Sequence, residues 1–179
     1  MEKCKKTKNF FKRIFNPNYV PGRYLWGILR IVMGWVFLWP FLDKLFGLGY
    51  ATPSGQAWLD GASPTYGFLK FATRGPLAVV FQGMAGSPLV DWLFMLGLLF
   101  IGLALISGIF MKIASYSGAL MLLLMWLAAF PPEHNPFLDE HLIYIVILIA
   151  LGIIKAGRYF GLGEKWRESG LVKKYPLFE

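Results

Sequence analysis

The sequence predicts an all-α, polytopic membrane protein: a four-helix bundle with a long outer loop that carries short interfacial helices. Three observations predict it. The first is composition: of 179 residues, 56% are hydrophobic and only 16% charged, with a mean hydropathy of +0.53, against about 25% charged residues in an ordinary soluble domain. One water-facing core of this size cannot hide so much apolar surface, whereas lipid solvates it. The second is the recurrence of apolar stretches near the ~20 residues that a spanning helix needs. The third is the placement of basic residues at the ends of those stretches, where they set orientation.

Segment one runs over 24–46 and contains Arg30, Pro40, Asp43 and Lys44. Segment two covers 89–110 and opens with Asp91; segment three, 113–130, carries no charge. Segment four is expected over 137–157. Its clean apolar part, Leu142 to Ile154, is short, so it crosses only if Asp139, Glu140 and His141 sit at one interface and Lys155 snorkels at the other. The transmembrane domain is thus 24–157, between a basic N-terminal segment (1–23) and a basic tail (158–179). Ala104 with Gly108, and Ala114 with Gly118, stand at helical spacing and predict close packing of segments two and three as an antiparallel hairpin. Pro40 removes a backbone donor opposite Val36 and predicts a kink.

The loop over 47–88 holds Pro53, Pro64, Pro76 and Pro88 together with Trp58, Tyr66, Phe68, Phe71 and Phe81. A disordered loop is poor in aromatics, so short helices on or in the membrane surface are expected, one of them starting at Pro76.

Net charge is +8, but its distribution does not make a nucleic-acid stripe. Lys3, Lys5, Lys6, Lys8, Lys12, Arg13 and Arg23 precede segment one, Lys112 joins segments two and three, and Lys155, Arg158, Lys165, Arg167, Lys173 and Lys174 close the chain. Both termini are therefore expected in the cytoplasm, facing anionic lipid. The N-terminus reads as a retained helix and not a cleaved signal, because the apolar stretch is too long and no small-residue cleavage site follows it. The single cysteine, Cys4, makes no intrachain disulfide or thiolate metal site; a free cytoplasmic thiol is expected, with palmitoylation as the lesser alternative.

Ionisable groups inside a span are costly and mark candidate sites. Arg30 lies about 9 Å inside helix one at ~1.5 Å per residue. It either snorkels to inner-leaflet phosphates or donates to a polar ligand head, such as a quinone carbonyl. Asp43, Lys44, Asp91, Asp139, Glu140 and His141, with Glu133 and His134 in the adjoining loop, are expected to converge on one outer layer. That layer is a wetted rim, a ligand or proton-relay site, or a metal site. Two histidines at this spacing match no zinc pattern, and His134 in a Pro-rich loop argues against haem. Trp39 beside Pro40 is placed to stack on a flat ligand. Nucleophile triads, P-loops and dinucleotide fingerprints are missing from the sequence.

Four stretches together resemble the DoxX/DoxD family of small membrane proteins: Leu29-Arg30 with Phe41-Leu42-Asp43-Lys44-Leu45-Phe46-Gly47; Trp58-Leu59-Asp60-Gly61-Ala62-Ser63-Pro64; Gly97 to Leu105; and Asn135-Pro136-Phe137-Leu138-Asp139-Glu140-His141. The closing Gly157-Arg158-Tyr159-Phe160-Gly161-Leu162 also fits, and the likeness extends over about residues 22–166. Many DoxX members have a carboxylate within helix two where this chain is apolar, so the resemblance is nearer to the DoxD branch, the membrane subunit associated with thiosulfate:quinone oxidoreductase. It implies thiosulfate oxidised to tetrathionate with electrons passed to a quinone. It also implies Arg30, Asp43, Lys44, Asp139 and His141 as the family-like polar positions, and Lys70 and Arg74 would then steer an anionic sulfur substrate to the outer face. The chain itself supplies no redox centre. A quinone, a partner subunit or a further cofactor must carry the electrons. The reading set beside this one is a non-catalytic membrane module for transport, scaffolding or partner docking. The bilayer, a second oxidoreductase subunit and a second copy of the chain are the partners to be considered; nucleic acid is not.

Overall fold

The computed structural model describes residues 20–132, 135 and 137–178. Cys4, the six basic residues from Lys3 to Arg13, Glu133, His134 and Pro136 lie outside them. The described chain is helical, without strands among the described residues. Helix α1 is Val20–Phe46 and α2 is the short Ala78–Gln82. Helices α3 (Pro88–Ser107), α4 (Met111–Ala128) and α5 (Glu140–Ile153) follow, and then the short α6 (Gly163–Arg167) and α7 (Gly170–Lys174).

Three helices, α1 from Gly22 onward, α3 and α4, are long and apolar enough to cross a membrane. Their outward faces carry Leu25, Ile28, Val32, Leu93, Phe100, Leu103, Leu120 and Leu124, all exposed. Water solvates such a surface poorly and hydrocarbon solvates it well, so the chain is an integral membrane protein. The buried faces meet in one core of Met33, Phe37, Phe41, Met95, Leu98, Ile101, Leu105, Leu122, Leu148 and Leu151.

The helices alternate in direction. The start of α1, the α3–α4 turn and the segment after α5 share one end. Arg23, Lys112, Lys155, Arg158, Lys165, Arg167, Lys173 and Lys174 all fall there, and it is called the basic end below. The opposite, loop end holds residues 47–87 and the connection from α4 to α5, tied together where the Arg74 N–H donates to the Ala128 carbonyl at 2.9 Å.

Several boundaries differ from the sequence expectation. The second apolar segment stops at Ser107 and not at Phe110, because Gly108 takes a left-handed backbone (φ 81°) and caps α3. The fourth, expected over 137–157, is helical only over fourteen residues, about 21 Å at ~1.5 Å per residue. Asp139 caps its start, accepting from the Leu142 N–H at 3.3 Å, and Lys155, also left-handed at φ 55°, closes it off. Helix α1 is assigned as unbroken through Pro40. Pro76 is the second, not the first, residue of its turn, which spans Gly75–Leu77.

The main packing pairs also differ. Helix α1 packs most extensively on α3, and α4 on α5; α3 and α4 also pack on each other as the expected hairpin, less extensively than those two pairs. At the α1–α3 crossing a Cβ on Gly34 would stand 3.1 Å from the Gly102 carbonyl oxygen, and one on Gly102 would stand 3.2 Å from that of Gly34. Glycine at both positions lets the two backbones touch. Gly118 faces Leu148 of α5, Ile101 and Phe37, and Gly152 of α5 faces Ser115 of α4.

Candidate functional site

Arg30 is wholly buried, with 0% exposure, so it does not snorkel to solvent. One terminal nitrogen, Nη1, donates to the carbonyls of Leu105 and of Ile106 (2.9 Å). The other, Nη2, donates to Tyr159 O at 3.0 Å and Phe160 O at 2.9 Å. Carbonyls in the last turn of a helix have no intrahelical donor, and a cation there complements the helix dipole. The guanidinium therefore serves as the C-terminal cap of α3 and as a clamp on the segment that folds back after α5. Glycines make the approach possible: a Cβ on Gly108 would stand 2.8 Å from Gly157 O, and one on Gly161 would stand 2.7 Å from Ser107 O. The Leu162 N–H then reaches Ser107 O at 2.8 Å. The segment that folds back onto Arg30 brings carbonyls and not carboxylates; Glu164, farther along, pairs with Arg167 at 3.3 Å.

Asp43 is 1% exposed. Its oxygens accept from the N–H groups of Tyr50 (3.2 Å) and Ala51 (3.0 Å), which turns the chain back over the end of α1. Asp91, 6% exposed, sits in the first turn of α3. It accepts from Ser63 Oγ at 2.9 Å, Thr65 Oγ1 at 2.5 Å and the Thr65 N–H at 3.3 Å, pinning the long loop to that helix. Ser63 and Thr65 were not singled out from the sequence; the Ser-Pro-Thr turn was the available signal.

His141 Nδ1 lies 2.8 Å from Asp139 Oδ2, with the side chains 17% and 14% exposed. A carboxylate on Nδ1 fixes the ring and its tautomer and leaves Nε2 as the atom for proton exchange. These two candidate site residues, two positions apart in the sequence, are in direct contact. Asp43 and Asp91 each serve a local segment, so the expected layer is a set of separate anchors at one end. Lys44 is half-buried beside Asp43. Trp39 packs edge-on against Tyr50 (5.0 Å between centroids) and tilted against Trp35 (5.7 Å). Lys70 and Arg74 are exposed on the long loop, Lys70 within a π-helical turn over Phe68–Ala72. Among the described residues no three His, Cys, Asp or Glu side chains gather as a metal site.

Compared with protein-family models, with curated proteins and with solved structures, the chain matches none.

Proposed function

We propose that the chain is the membrane subunit of a quinone-linked oxidoreductase acting on a small sulfur anion such as thiosulfate, after the DoxX/DoxD proteins it resembles. It crosses the cell membrane four times as a four-helix bundle, with both termini cytoplasmic and the loop end outside. The observation that carries the reading is the Asp139–His141 pair, a carboxylate-oriented imidazole at the edge of an apolar bundle. Joining two thiosulfates through a new S–S bond releases two electrons, and a quinone takes up those electrons with two protons to become the quinol. A histidine held by its Nδ1 is suited to relay one of those protons through Nε2. Lys70 and Arg74 give the same face the positive charge that concentrates an anionic substrate. The electrons travel between substrate and quinone through a partner subunit or cofactor. Because the terminal nitrogens of Arg30 are engaged by carbonyls, quinone contact falls to the loop end, where Trp39 offers a flat ring.

The test is reduction of decylubiquinone by thiosulfate with purified protein, alone and with a candidate partner subunit. His141→Ala should lower turnover by about 10²-fold or more, the usual size of a general acid–base contribution. Asp139→Asn, which keeps the helix cap but removes the charge behind the imidazole, should lower it less while leaving the fold intact. No turnover with any partner would end the proposal.

A second reading has its own observation. Arg30, Asp43 and Asp91, the most deeply buried ionisable groups among the described residues, all bind protein groups, as expected of a non-catalytic module whose polar residues only hold it together. Quinone or lipid co-purifying with the protein, without electron transfer, would favour it.

A further inference from the structure

At the basic end an open groove of about 220 Å³ is lined by Arg23, Tyr24, Arg158, Tyr159 and Phe160. Among the described residues the lining holds two guanidinium groups and no carboxylate. Its walls are fixed by the clamp already described, since Arg30 holds the carbonyls of Tyr159 and Phe160. Gly27 lets that segment press against α1, where a Cβ would stand 2.5 Å from the Phe160 ring and 3.3 Å from Tyr159 O. The Tyr24 and Phe160 rings lie 5.0 Å apart. The Arg23 guanidinium carbon lies over the Tyr159 ring, 5.3 Å from its centroid. A cation–π contact of this kind is electrostatic, and a guanidinium carries five N–H donors in a planar fork.

Depth identifies the ligand chemistry. The apolar span of α1 begins at Gly22, so the groove lies where hydrocarbon gives way to headgroups. Just beyond it on the same helix, Leu25 and Ile28 are exposed and form a surface on which an acyl chain can lie. Two guanidinium groups over such a track match a phosphate, which arginine binds through paired N–H donors. We propose that this groove is a binding site for a phosphate-bearing anion, with Arg23 and Arg158 as its cationic pair. The source is either the headgroup of an anionic glycerophospholipid or a free phosphate of the same chemistry. The site is independent of the redox reading, because none of its residues takes part in that chemistry.

Native mass spectrometry of the full chain in a neutral detergent tests it, with dioleoylphosphatidylglycerol, dioleoylphosphatidylcholine and inorganic phosphate as probes. Phosphatidylglycerol should be retained in preference to phosphatidylcholine. Arg23→Gln should weaken that retention about fivefold, and the double variant with Arg158→Gln about 25-fold, the effect expected of basic groups at a membrane surface. Arg23→Lys should retain part of the affinity. Lys173→Gln with Lys174→Gln removes as much charge from the same end and should change nothing. Displacement of the lipid by millimolar phosphate would assign the site to a free anion, and persistence of the lipid would assign it to a headgroup. Equal retention of both lipids, or equal loss in the lysine and arginine variants, overturns the site. Arg23 is exposed, so its single variant remains informative if the double variant does not fold.

Discussion

Arg30→Leu would leave the carbonyls of Leu105, Ile106, Tyr159 and Phe160 without their side-chain donors, those of Leu105 and Tyr159 in buried positions. A buried acceptor left unsatisfied costs about 1–3 kcal/mol, and hydrogen bonds to charged groups are the stronger kind. The variant should unfold in detergent at a markedly lower temperature, and the segment from Tyr159 onward should become open to protease. Arg30→Lys supplies a point charge without the planar fork and should recover only part of the loss. An Arg30→Leu protein within about 0.5 kcal/mol of the parent would deny the clamp; that is the range of an ordinary surface substitution. The sequence showed that Arg30 needed a partner, because an ion in hydrocarbon does. It did not show which, because every residue carries a carbonyl and a cap made of them has no side-chain signature. The glycines at 108, 157, 161 and 163 were the readable trace. The carboxylates were legible as a group and not as individuals. Asp43 and Asp91 draw their partners from a loop whose course only the folded chain reveals, whereas Asp139 and His141 stand two residues apart at a helix start, where local geometry already joins them.

Gly34 and Gly102 show the same contrast between helices. Valine at either position drives a side chain into the neighbouring backbone, and overpacking of this kind costs typically about 1–3 kcal/mol. Gly34→Val and Gly102→Val should each lower stability by that amount. The double variant should lose less than the sum, since either substitution alone separates the helices at that crossing. Gly67→Ala, with open space around its Cβ position and an ordinary backbone, should stay within about 0.5 kcal/mol of the parent; a loss as large as that of Gly34→Val would show that the effect is general to glycine and not to this crossing. Helices α1, α3 and α4 were readable from length and hydropathy alone. Of their pairings only the α3–α4 hairpin was, through its short Lys112 connection; that α1 packs most extensively on α3, and α4 on α5, was not. Small residues are common in membrane helices, and which ones face each other depends on rotation about each axis, which hydropathy does not encode. Gly118 was picked out as a packing residue and is one, but its partner Leu148 lies on α5.

Solvent decides the rest, because the exposed leucines, isoleucines and phenylalanines of α1, α3 and α4 are tolerable only in hydrocarbon. Fourteen of the eighteen Lys and Arg residues lie in the N-terminal segment, at Lys112 or beyond Ile154, an imbalance that orients membrane proteins with the basic side inward. Helix α5, with a helical length of about 21 Å, falls short of the ~30 Å hydrocarbon thickness. It spans if the polar start at Asp139–His141 and the turn after Ile153 both reach an interface, or if the bilayer thins locally. Cys4, the single native cysteine, makes this measurable with a membrane-impermeant maleimide. In inverted membrane vesicles Cys4 should react, and so should Ser169→Cys in a Cys4→Ser background. Ser54→Cys in that background, on the exposed long loop, should be protected in inverted vesicles and react in right-side-out ones. If Cys4 and Ser169→Cys label from opposite sides, α5 does not cross. The basic tail with Lys165, Arg167, Lys173 and Lys174 would then share the outer side with the Asp139–His141 pair, Lys70 and Arg74.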